Sequence, residues 1–253
     1  MPIDLETRDG GLLVISLNEP VRRNPVGHPV RQELVQILSQ AERDVDVRAV
    51  VLTGKGGHFS SGGDIRDQGM CSIAQQRERF ATVKDMIGRM VRFPKPLVVA
   101  VEGWAAGAGF GLAMACPMVV ASRGAMFVAG FTRVGVIPDM GLLATLPARV
   151  GPAKARRIIM SNRKITADEA LASGLVDALA DEGQAVEMAC ALALEEAEVA
   201  PLPRQYIADW FARDVDAALE YERQLQPILL NSADAAEGRS AFFEKRTPHF
   251  KGC

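Results

Sequence analysis

The stretch RAVVLTGKGGHFSSGGDI, residues 48–65, begins as an apolar run and continues into a glycine-rich loop. A second stretch with the same plan, PKPLVVAVEGWAAGAGFGLAMAC, covers residues 94–116. Short apolar runs bounded by Gly or Pro are typical of buried strands, and a helical pattern follows each loop. Repeated strand–loop–helix units of this kind predict an α/β domain, with two glycine-rich loops on adjacent strands.

Outward from these two stretches, hydrophobic periodicity assigns most of the chain to strands and helices. Apolar residues at helical spacing predict helices over about 30–44 and 72–92. The later part of the chain is mostly helical. The predicted strands cover residues 3–8, 11–17, 48–53, 97–101, about 117–122, 125–128 and about 175–179. We therefore divide the chain into an α/β core, residues 1–195, and a C-terminal helical region, residues 196–253.

Composition and charge exclude several classes of function. The formal charge is −2, from 29 Lys and Arg against 31 Asp and Glu, without a basic stripe, so nucleic acid is not an expected partner. No apolar run reaches about 18 residues, so no membrane span is expected. The four cysteines and three histidines are scattered, which predicts no metal site. The charged N-terminus does not resemble a signal peptide, and we expect a cytoplasmic protein.

The two glycine-rich loops are the main candidates for a binding site. Glycine removes side-chain bulk, so the backbone N–H groups of residues 60–64 and of residues 107–109 could approach a ligand oxygen. Tight packing is the commoner reason for such loops, and spacing alone favours it. A dinucleotide fingerprint fails, because Leu112 occupies its last glycine position and no acidic residue lies near Phe131.

At these residues the sequence resembles the crotonase family, the enoyl-CoA hydratases and isomerases. Residues 48–65 resemble its first signature, a strand and a loop ending Phe-x-x-Gly-x-Asp, and residues 94–116 resemble its second. Residues 18–24 resemble an early segment that passes near the CoA adenine. Residues 242–246 resemble a C-terminal segment that contacts CoA, often across a subunit boundary. The resemblance runs nearly end to end in consistent order.

The resemblance implies an architecture and a type of ligand. The implied fold is the crotonase-like ββα spiral, of class α/β, with a C-terminal helical trimerisation segment. The implied assembly is a homotrimer or a dimer of trimers. The implied substrate is an acyl-CoA thioester, with CoA arriving as part of the substrate and with no separate cofactor. The thioester carbonyl would accept hydrogen bonds from the backbone N–H groups of Gly63 and Ala108, which stabilise the enolate.

The resemblance also implies residues that contact the substrate. Trp104 and Phe131 are candidates to line the acyl pocket, with ordinary core packing as the alternative. Arg133 and His58 are further candidates for a substrate contact, with a solvent-exposed position as the alternative. The predicted substrate- and CoA-binding residues are Arg23, Ser61, Asp64, Ile65, Trp104, Phe131, Phe243 and Lys245. For Asp64 we expect in addition a structural role, in shaping the first loop and capping the helix that follows.

The departures from the family pattern indicate which reaction to expect. Gly111 and Phe131 stand where hydratases carry their two catalytic glutamates, and residues 104–138 contain no Asp or Glu. Asp139 aligns with the acid/base aspartate of dienoyl-CoA isomerases and of ring-epoxide isomerases. In an apolar pocket its pKa would rise, which favours proton exchange near neutral pH. The resemblance therefore predicts an enoyl-CoA isomerase with Asp139 as its acid/base.

Several alternatives remain open at this point. Asp139 also precedes a predicted helix starting near Met140, where Asp is a preferred N-cap. Hydration, decarboxylation or thioester hydrolysis would use the same pair of N–H donors. A non-catalytic CoA-thioester-binding subunit is a further alternative, because both hydratase glutamates are missing. The acyl group cannot be read from the sequence.

Overall fold

The apolar runs identified in the sequence become the central strands of a six-stranded sheet. The computed structural model describes residues 2–67 and 71–253. Its strands are β1 Ile3–Arg8, β2 Leu12–Leu17, β3 Ala49–Gly54, β4 Leu97–Val101, β5 Trp104–Ala106, β6 Met118–Ser122, β7 Met126–Val128, β8 Ile165–Thr166 and β9 Ala178–Ala180. Its helices are α1 His28–Arg43, α2 Ile73–Val91, α3 Ala108–Met114, α4 Leu142–Val150, α5 Pro152–Ser161, α6 Ala167–Ala172, α7 Ala185–Glu196, α8 Pro201–Phe211, α9 Arg213–Leu230 and α10 Ala233–Glu244.

The strand order places the two glycine-rich loops side by side. In the large sheet the order is β1-β2-β3-β4-β6-β9, and a small sheet has the order β5-β7-β8. Strands β1 and β2 form the predicted antiparallel hairpin. Strands β3 and β4 are parallel neighbours, with Val50 opposite Leu97 and Leu52 opposite Val99. Because parallel neighbours end at the same edge of a sheet, the loops that follow them lie next to each other.

The central strands are buried on both faces, which explains why they are continuous apolar runs. One face of the sheet packs into the main hydrophobic core, which includes Leu52 and Val99. The other face, which includes Val51 and Val98, packs against α7. Helix α7 presents a row of alanines to the sheet, so its backbone approaches closely. These contacts fix the edge of the sheet from which the two loops leave.

Helix ends differ from the sequence prediction at one functionally important place. Helix α2 begins as predicted, with a capping box in which Ser72 and Gln75 exchange hydrogen bonds. Helix α4, however, has Gly141 as its N-cap, with φ 73° and no side-chain cap. The hypothesis that Asp139 caps a helix near Met140 is therefore wrong, because the helix starts later.

The remaining differences concern short strands. Strands β5 and β8 were not predicted, since three and two residues are too few to show a period. The last strand is Ala178–Ala180 rather than 175–179. The shift arises because the backbone N–H groups of Leu175 and Val176 donate to Ala170 O, which keeps them in the turn after α6.

The C-terminal helical region covers the core rather than extending from it. Helix α9 packs against α2 and α4, and α10 packs against the 3-10 turn Phe131–Val134. Helix α8 is different, because none of its residues is buried. Within residues 2–67 and 71–253, we find no helix with the length and apolar character that crossing a membrane requires.

Candidate functional site

A cavity of about 300 Å³ lies where the two glycine-rich loops meet. Its walls come from both loops, from α1, α2 and α9, and from the segment that leads into α4. Of the predicted site residues, the lining includes Ser61, Gly63, Asp64, Ile65, Ala108, Phe131 and Asp139. Residues far apart in sequence are therefore brought together around one cavity.

Backbone hydrogen bonds join the two loops at Ser60. Its N–H donates to Trp104 O at 2.9 Å, and the Ala106 N–H donates to Ser60 O at 3.0 Å. Its hydroxyl donates to Asn24 O at 2.7 Å and accepts from the Gly62 N–H at 3.1 Å. Ser60 is fully buried, so these bonds are shielded from water. The two loops are thus held at a fixed separation.

Glycine is required where the loops approach most closely. Gly62 has φ +106°, and a Cβ there would lie 2.8 Å from Ala106 O and 3.5 Å from Ala108 N. The next residue, Gly63, and Ala108 at the first position of α3 both line the cavity. Within the described part of the chain, neither of their N–H groups donates to a protein acceptor. Two backbone donors are therefore left at the cavity wall.

Asp139 supplies a carboxyl group to the same cavity. Only 6% of this residue is exposed, and burial raises its pKa to about 6, although Arg31 and the Gln226 amide act in the opposite direction. Among described residues, its Oδ1 has no hydrogen-bond partner. The Gln226 amide is held in turn by Ile137, whose N–H it accepts at 3.2 Å and whose O it donates to at 2.8 Å. A group with such a pKa can accept and return a proton near neutral pH.

Gly111 on α3 stands where the family pattern has one of the hydratase glutamates. The segment around Asp139 fills the space next to it. A Cβ on Gly111 would lie 2.6 Å from Met140 Cβ and 2.8 Å from Asp139 O. Contacts below 3.0 Å do not occur for a Cβ unless its neighbours move. Position 111 therefore has no room for a larger side chain while Asp139 and Met140 keep this arrangement.

Sequence reasoning missed a second buried carboxyl group, Glu222 on α9. It is fully buried, and the Gly141 N–H donates to its Oε2 at 3.0 Å. Burial raises its pKa to about 9, with a smaller contribution from the charge of Asp139 and an opposing one from the Gly141 N–H. Periodicity offered one signal, because Glu222 lies three residues after the buried Leu219 and four before Gln226, on the inward side of α9.

Gln76 is another polar residue that was missed. It lies on the buried face of α2, four residues before Phe80, and lines the cavity. Its Nε2 has no hydrogen-bond partner among the described residues. A polar side chain within the apolar stripe of the predicted helix was the signal that could have identified it.

Asp64 has the structural role that the sequence predicted, in a modified form. Arg22 donates to its Oδ2 at 2.5 Å, and the Arg66 N–H donates to its Oδ1 at 3.1 Å. Asp64 therefore caps the 3-10 turn Ile65–Asp67, while Ser72 caps the longer helix. Its carboxylate is already neutralised by Arg22, which distinguishes it from Asp139.

The other predicted binding residues divide between the cavity and its surroundings. Phe131 is buried in the cavity wall, and Arg133 also lines it. Trp104 is not among the lining residues, because it faces Lys164, whose Nζ lies 5.1 Å from the ring centroid. His58 is tied to the same strand, since its Nδ1 accepts the Trp104 N–H at 3.3 Å.

The predicted CoA-contacting residues lie outside the cavity lining. Arg23 O accepts the Ser61 N–H at 2.7 Å, so Arg23 adjoins the first loop. Phe243 and Lys245, at the end of α10, are exposed. The adjacent Phe242 lines the cavity instead, with its ring centroid 5.7 Å from that of Phe243. The binding roles of all three predicted residues stay predictions.

Comparisons with known proteins identify the family and the fold of the chain. The family model "Enoyl-CoA hydratase/isomerase" matches residues 7–253. The chain is 34% identical to a 1,2-epoxyphenylacetyl-CoA isomerase of Escherichia coli, over 96% of this chain and 95% of that protein. It is 33% identical to a 2,3-dehydroadipyl-CoA hydratase of the same organism, over 97% of each chain. A crystal structure of an enoyl-CoA hydratase from Mycobacterium avium subsp. paratuberculosis matches 99% of each chain, with a TM-score of 0.87 and 30% identity.

The fold and these matches define a crotonase-type α/β protein that acts on acyl-CoA thioesters. The chain belongs to the enoyl-CoA hydratase/isomerase family. The predicted family and fold class are thereby confirmed. The names of its relatives include both isomerase and hydratase.

Proposed function

We propose that the protein is an enoyl-CoA isomerase that moves a carbon–carbon double bond by proton transfer. The observation that carries this proposal is Asp139, a buried carboxyl group with a pKa of about 6, in the cavity that Gly63 and Ala108 also line. Such a pKa makes the carboxylate basic enough to take a proton at neutral pH, and the acid form able to return it.

In the proposed reaction, the Asp139 carboxylate removes a proton from C2 of a 3-enoyl-CoA. The electron pair of that C–H bond moves into the conjugated system, and negative charge builds on the thioester oxygen. The N–H groups of Gly63 and Ala108 donate hydrogen bonds to that oxygen. Protonated Asp139 then delivers the same proton to C4, which leaves the double bond between C2 and C3. Proton and charge balance without any cofactor, and CoA enters as part of the substrate.

Hydration is disfavoured because it requires groups that hold and activate water. In the family pattern two glutamates do so, and their positions here carry Gly111 and Phe131. The packing around Gly111 supports the proposal further, because the segment around Asp139 fills the volume that a glutamate side chain at position 111 would need. One carboxylic acid is sufficient for a proton shuttle between two carbons, whereas water addition uses two.

The binding of CoA is proposed to involve the mouth of this cavity. Ser61, Asp64 and Ile65 come from the first loop, and Phe131 comes from the opposite wall. Arg23, Phe243 and Lys245 lie outside the cavity lining, and we propose that they contact the nucleotide part of CoA. Trp104, expected to line the acyl pocket, is also outside this lining. The phosphates of CoA would interact favourably with Arg23 and Lys245.

The test is a comparison of two rates on the same acyl chains. Purified protein is given 3-enoyl-CoA and 2-enoyl-CoA of several chain types, and products are separated by liquid chromatography with mass detection. We expect isomerisation to exceed hydration for every acyl group that is turned over. Faster hydration would reject the isomerase assignment, and binding of acyl-CoA without any turnover would identify a non-catalytic binding subunit.

We also propose that the protein assembles as a homotrimer or a dimer of trimers through α8. This helix has no buried residue, yet it carries five large apolar side chains that each expose more than half of their surface. They are Leu202, Tyr206, Ile207, Trp210 and Phe211. An apolar cluster of this size on one helix is typical of a protein–protein contact, and a second copy of the chain is its proposed occupant.

Light scattering of the purified chain tests this assembly. We expect the mass of three or six chains for the natural sequence and a smaller species or aggregate for Trp210→Glu. The control is Tyr221→Glu on α9, another exposed aromatic residue outside α8. A monomeric natural chain would contradict the proposal.

A further inference from the structure

Glu222 is connected to Asp139 through the backbone that follows it. Asp139 is succeeded by Met140 and Gly141, which have φ values of 60° and 73°. The left-handed region is unfavourable for a methionine, so this turn needs support from its surroundings. The Gly141 N–H is directed to Glu222 Oε2 at 3.0 Å, and the bond is buried.

The same hydrogen bond replaces the missing N-cap of α4. Gly141 has no side chain that could satisfy the first N–H groups of the helix, and the Asp139 side chain does not do so, although the Asp139 backbone O accepts the Leu142 N–H at 3.2 Å. Glu222 supplies the acceptor from α9, which packs against α4. Its carboxyl group therefore joins the turn beside Asp139 to a helix that is more than 70 residues later in sequence.

We propose that Glu222 is a positioning residue for Asp139, and that its carboxyl group works in the protonated form. It holds the Met140-Gly141 turn and thereby fixes where the Asp139 carboxylate lies in the cavity. This inference rests on the proposed function of Asp139 as the proton carrier. The proposed role of Glu222 involves no contact with the substrate.

The charges around the pair favour a neutral Glu222. Burial is the main cause that raises its pKa to about 9. The Gly141 N–H acts in the opposite direction, and the negative charge of Asp139 acts in the same direction as burial. Arg31 from α1 lowers the pKa of Asp139. The Lys84–Glu220 ion pair between α2 and α9 is solvent-accessible. Two buried carboxylates side by side would repel each other, so one of them keeps its proton at neutral pH.

Glutamine at this position imitates the protonated acid, because it is neutral and keeps an oxygen acceptor for the Gly141 N–H. Methionine has a similar volume but no such acceptor. We expect Glu222→Gln to keep kcat within about threefold of the natural protein. Glu222→Met should reduce kcat by about 10- to 100-fold with little change in KM, because a misplaced base slows the chemical step. Glu220→Met, which removes a half-buried glutamate paired with Lys84 on the same helix, is the matched control.

A second measurement does not depend on the reaction. A carboxyl group whose folded pKa is raised lowers stability as pH increases from its unfolded value of about 4.5 to its folded value of about 9. The Glu222→Gln variant has no carboxyl group here to ionise, so it does not lose this stability as the pH rises. Its melting temperature should equal that of the natural protein near pH 4.5 and exceed it by about 2–4 °C or more at pH 8. In an Asp139→Asn background the gap should shrink, because the repelling charge is gone.

The outcomes distinguish this inference from the proposed function. Loss of kcat in Glu222→Gln equal to that in Glu222→Met, or full activity in Glu222→Met, would overturn the positioning role. A melting difference that does not change with pH would overturn the protonated form. If the protein shows no isomerase activity, the proposed function fails first. The pH-dependent gap and its response to Asp139→Asn then still decide whether Glu222 is a protonated neighbour of Asp139.

Discussion

The two ends of the cavity act through different parts of the chain. At the loop end, which we define by Gly63, Asp64 and Ala108, the available groups are backbone N–H donors, and the Asp64 carboxylate is tied to Arg22. At the inner end, which we define by Asp139 together with its neighbour Glu222 outside the cavity lining, the groups are buried side-chain carboxyls. Each has one oxygen that lacks a partner among the described residues.

This difference shows how environment assigns a role to chemically similar residues. Asp64 and Asp139 line the same cavity. The Asp64 carboxylate forms an ion pair with Arg22 and accepts a backbone N–H, whereas burial raises the pKa of Asp139 to about 6. At the loop end the chemistry depends on backbone position and tolerates changes of side chain. At the inner end the chemistry depends on one ionisable group, Asp139, and on the burial that shields it from water. Substitutions at each end should therefore fail in different ways.

The largest effect is expected for Ala108→Pro at the loop end. Proline removes the N–H donor, yet the first position of a helix accepts proline without loss of an internal hydrogen bond. We expect turnover to fall by about 100- to 1000-fold or more. The measurement is kcat on the best acyl-CoA, with the fold monitored by circular dichroism.

The control for this variant is Ala108→Gly, which keeps the N–H and should retain most of the activity. A folded Ala108→Pro protein with normal turnover would show that this N–H does not stabilise the transition state.

The next effect is expected for Asp139→Asn at the inner end. Asparagine preserves size but cannot accept and return a proton, so isomerisation should fall by roughly 100-fold or more. The substrate should still bind, because the donors at the loop end are intact. Kinetics give the loss of kcat, and calorimetric titration with a product acyl-CoA gives the retained affinity. Full activity in this variant would remove Asp139 from the mechanism.

The pH profile sharpens the same contrast without a substitution. A base must be deprotonated to act, and the pKa of Asp139 is about 6. The acid limb of kcat/KM should therefore bend near pH 6, with about a tenfold loss between pH 7 and pH 5. Stability should show the opposite trend: the raised folded pKa favours the folded state most below about pH 3.8, and this contribution is lost as pH rises through 6. A bend near pH 4 would indicate that the base is a solvent-exposed carboxylate.

The smallest effect is expected for Asp64→Asn. Asparagine can still accept the Arg66 N–H, and only the partly exposed ion pair with Arg22 is lost. We expect kcat to stay within about threefold and stability to change by about 1 kcal/mol or less. A comparison of kcat in this variant and in Asp139→Asn distinguishes a carboxylate held in an ion pair from one that transfers a proton. A loss as large as that of Asp139→Asn would place Asp64 in the chemical step.

Much of the fold was predictable because its signals are local. The strands around residues 50 and 99 are apolar on both faces, and their loops contain glycine where backbones must approach, as at Gly62. The start of α2 was predictable from Ser72 and Gln75, which satisfy each other within one turn. Strands β5 and β8 were not predictable, since their hydrogen bonds depend on partners elsewhere in the chain.

The inner end of the site shows where such local signals stop. The start of α4 was misplaced because its cap comes from Glu222 rather than from a nearby residue. Gln76 and Glu222 lie at apolar positions of their helical patterns, but only the tertiary structure shows that both are buried and that Glu222 lies close to Asp139. Likewise, Trp104 is an aromatic residue beside a loop in the sequence, and only the small sheet turns it towards Lys164 and away from the cavity.

By itself, the sequence determined the α/β class and the two glycine-rich loops, because hydrophobic periodicity and glycine positions are properties of short segments. The choice of Asp139 as candidate acid/base came from the resemblance of its segment to the crotonase family. The tertiary structure alone decided that Gly111 is closed by Met140, that Asp139 is buried rather than a helix cap, and that Glu222 lies beside it. Proton affinity depends on desolvation and on neighbouring charge, and both are set by groups that the chain brings together only when it folds.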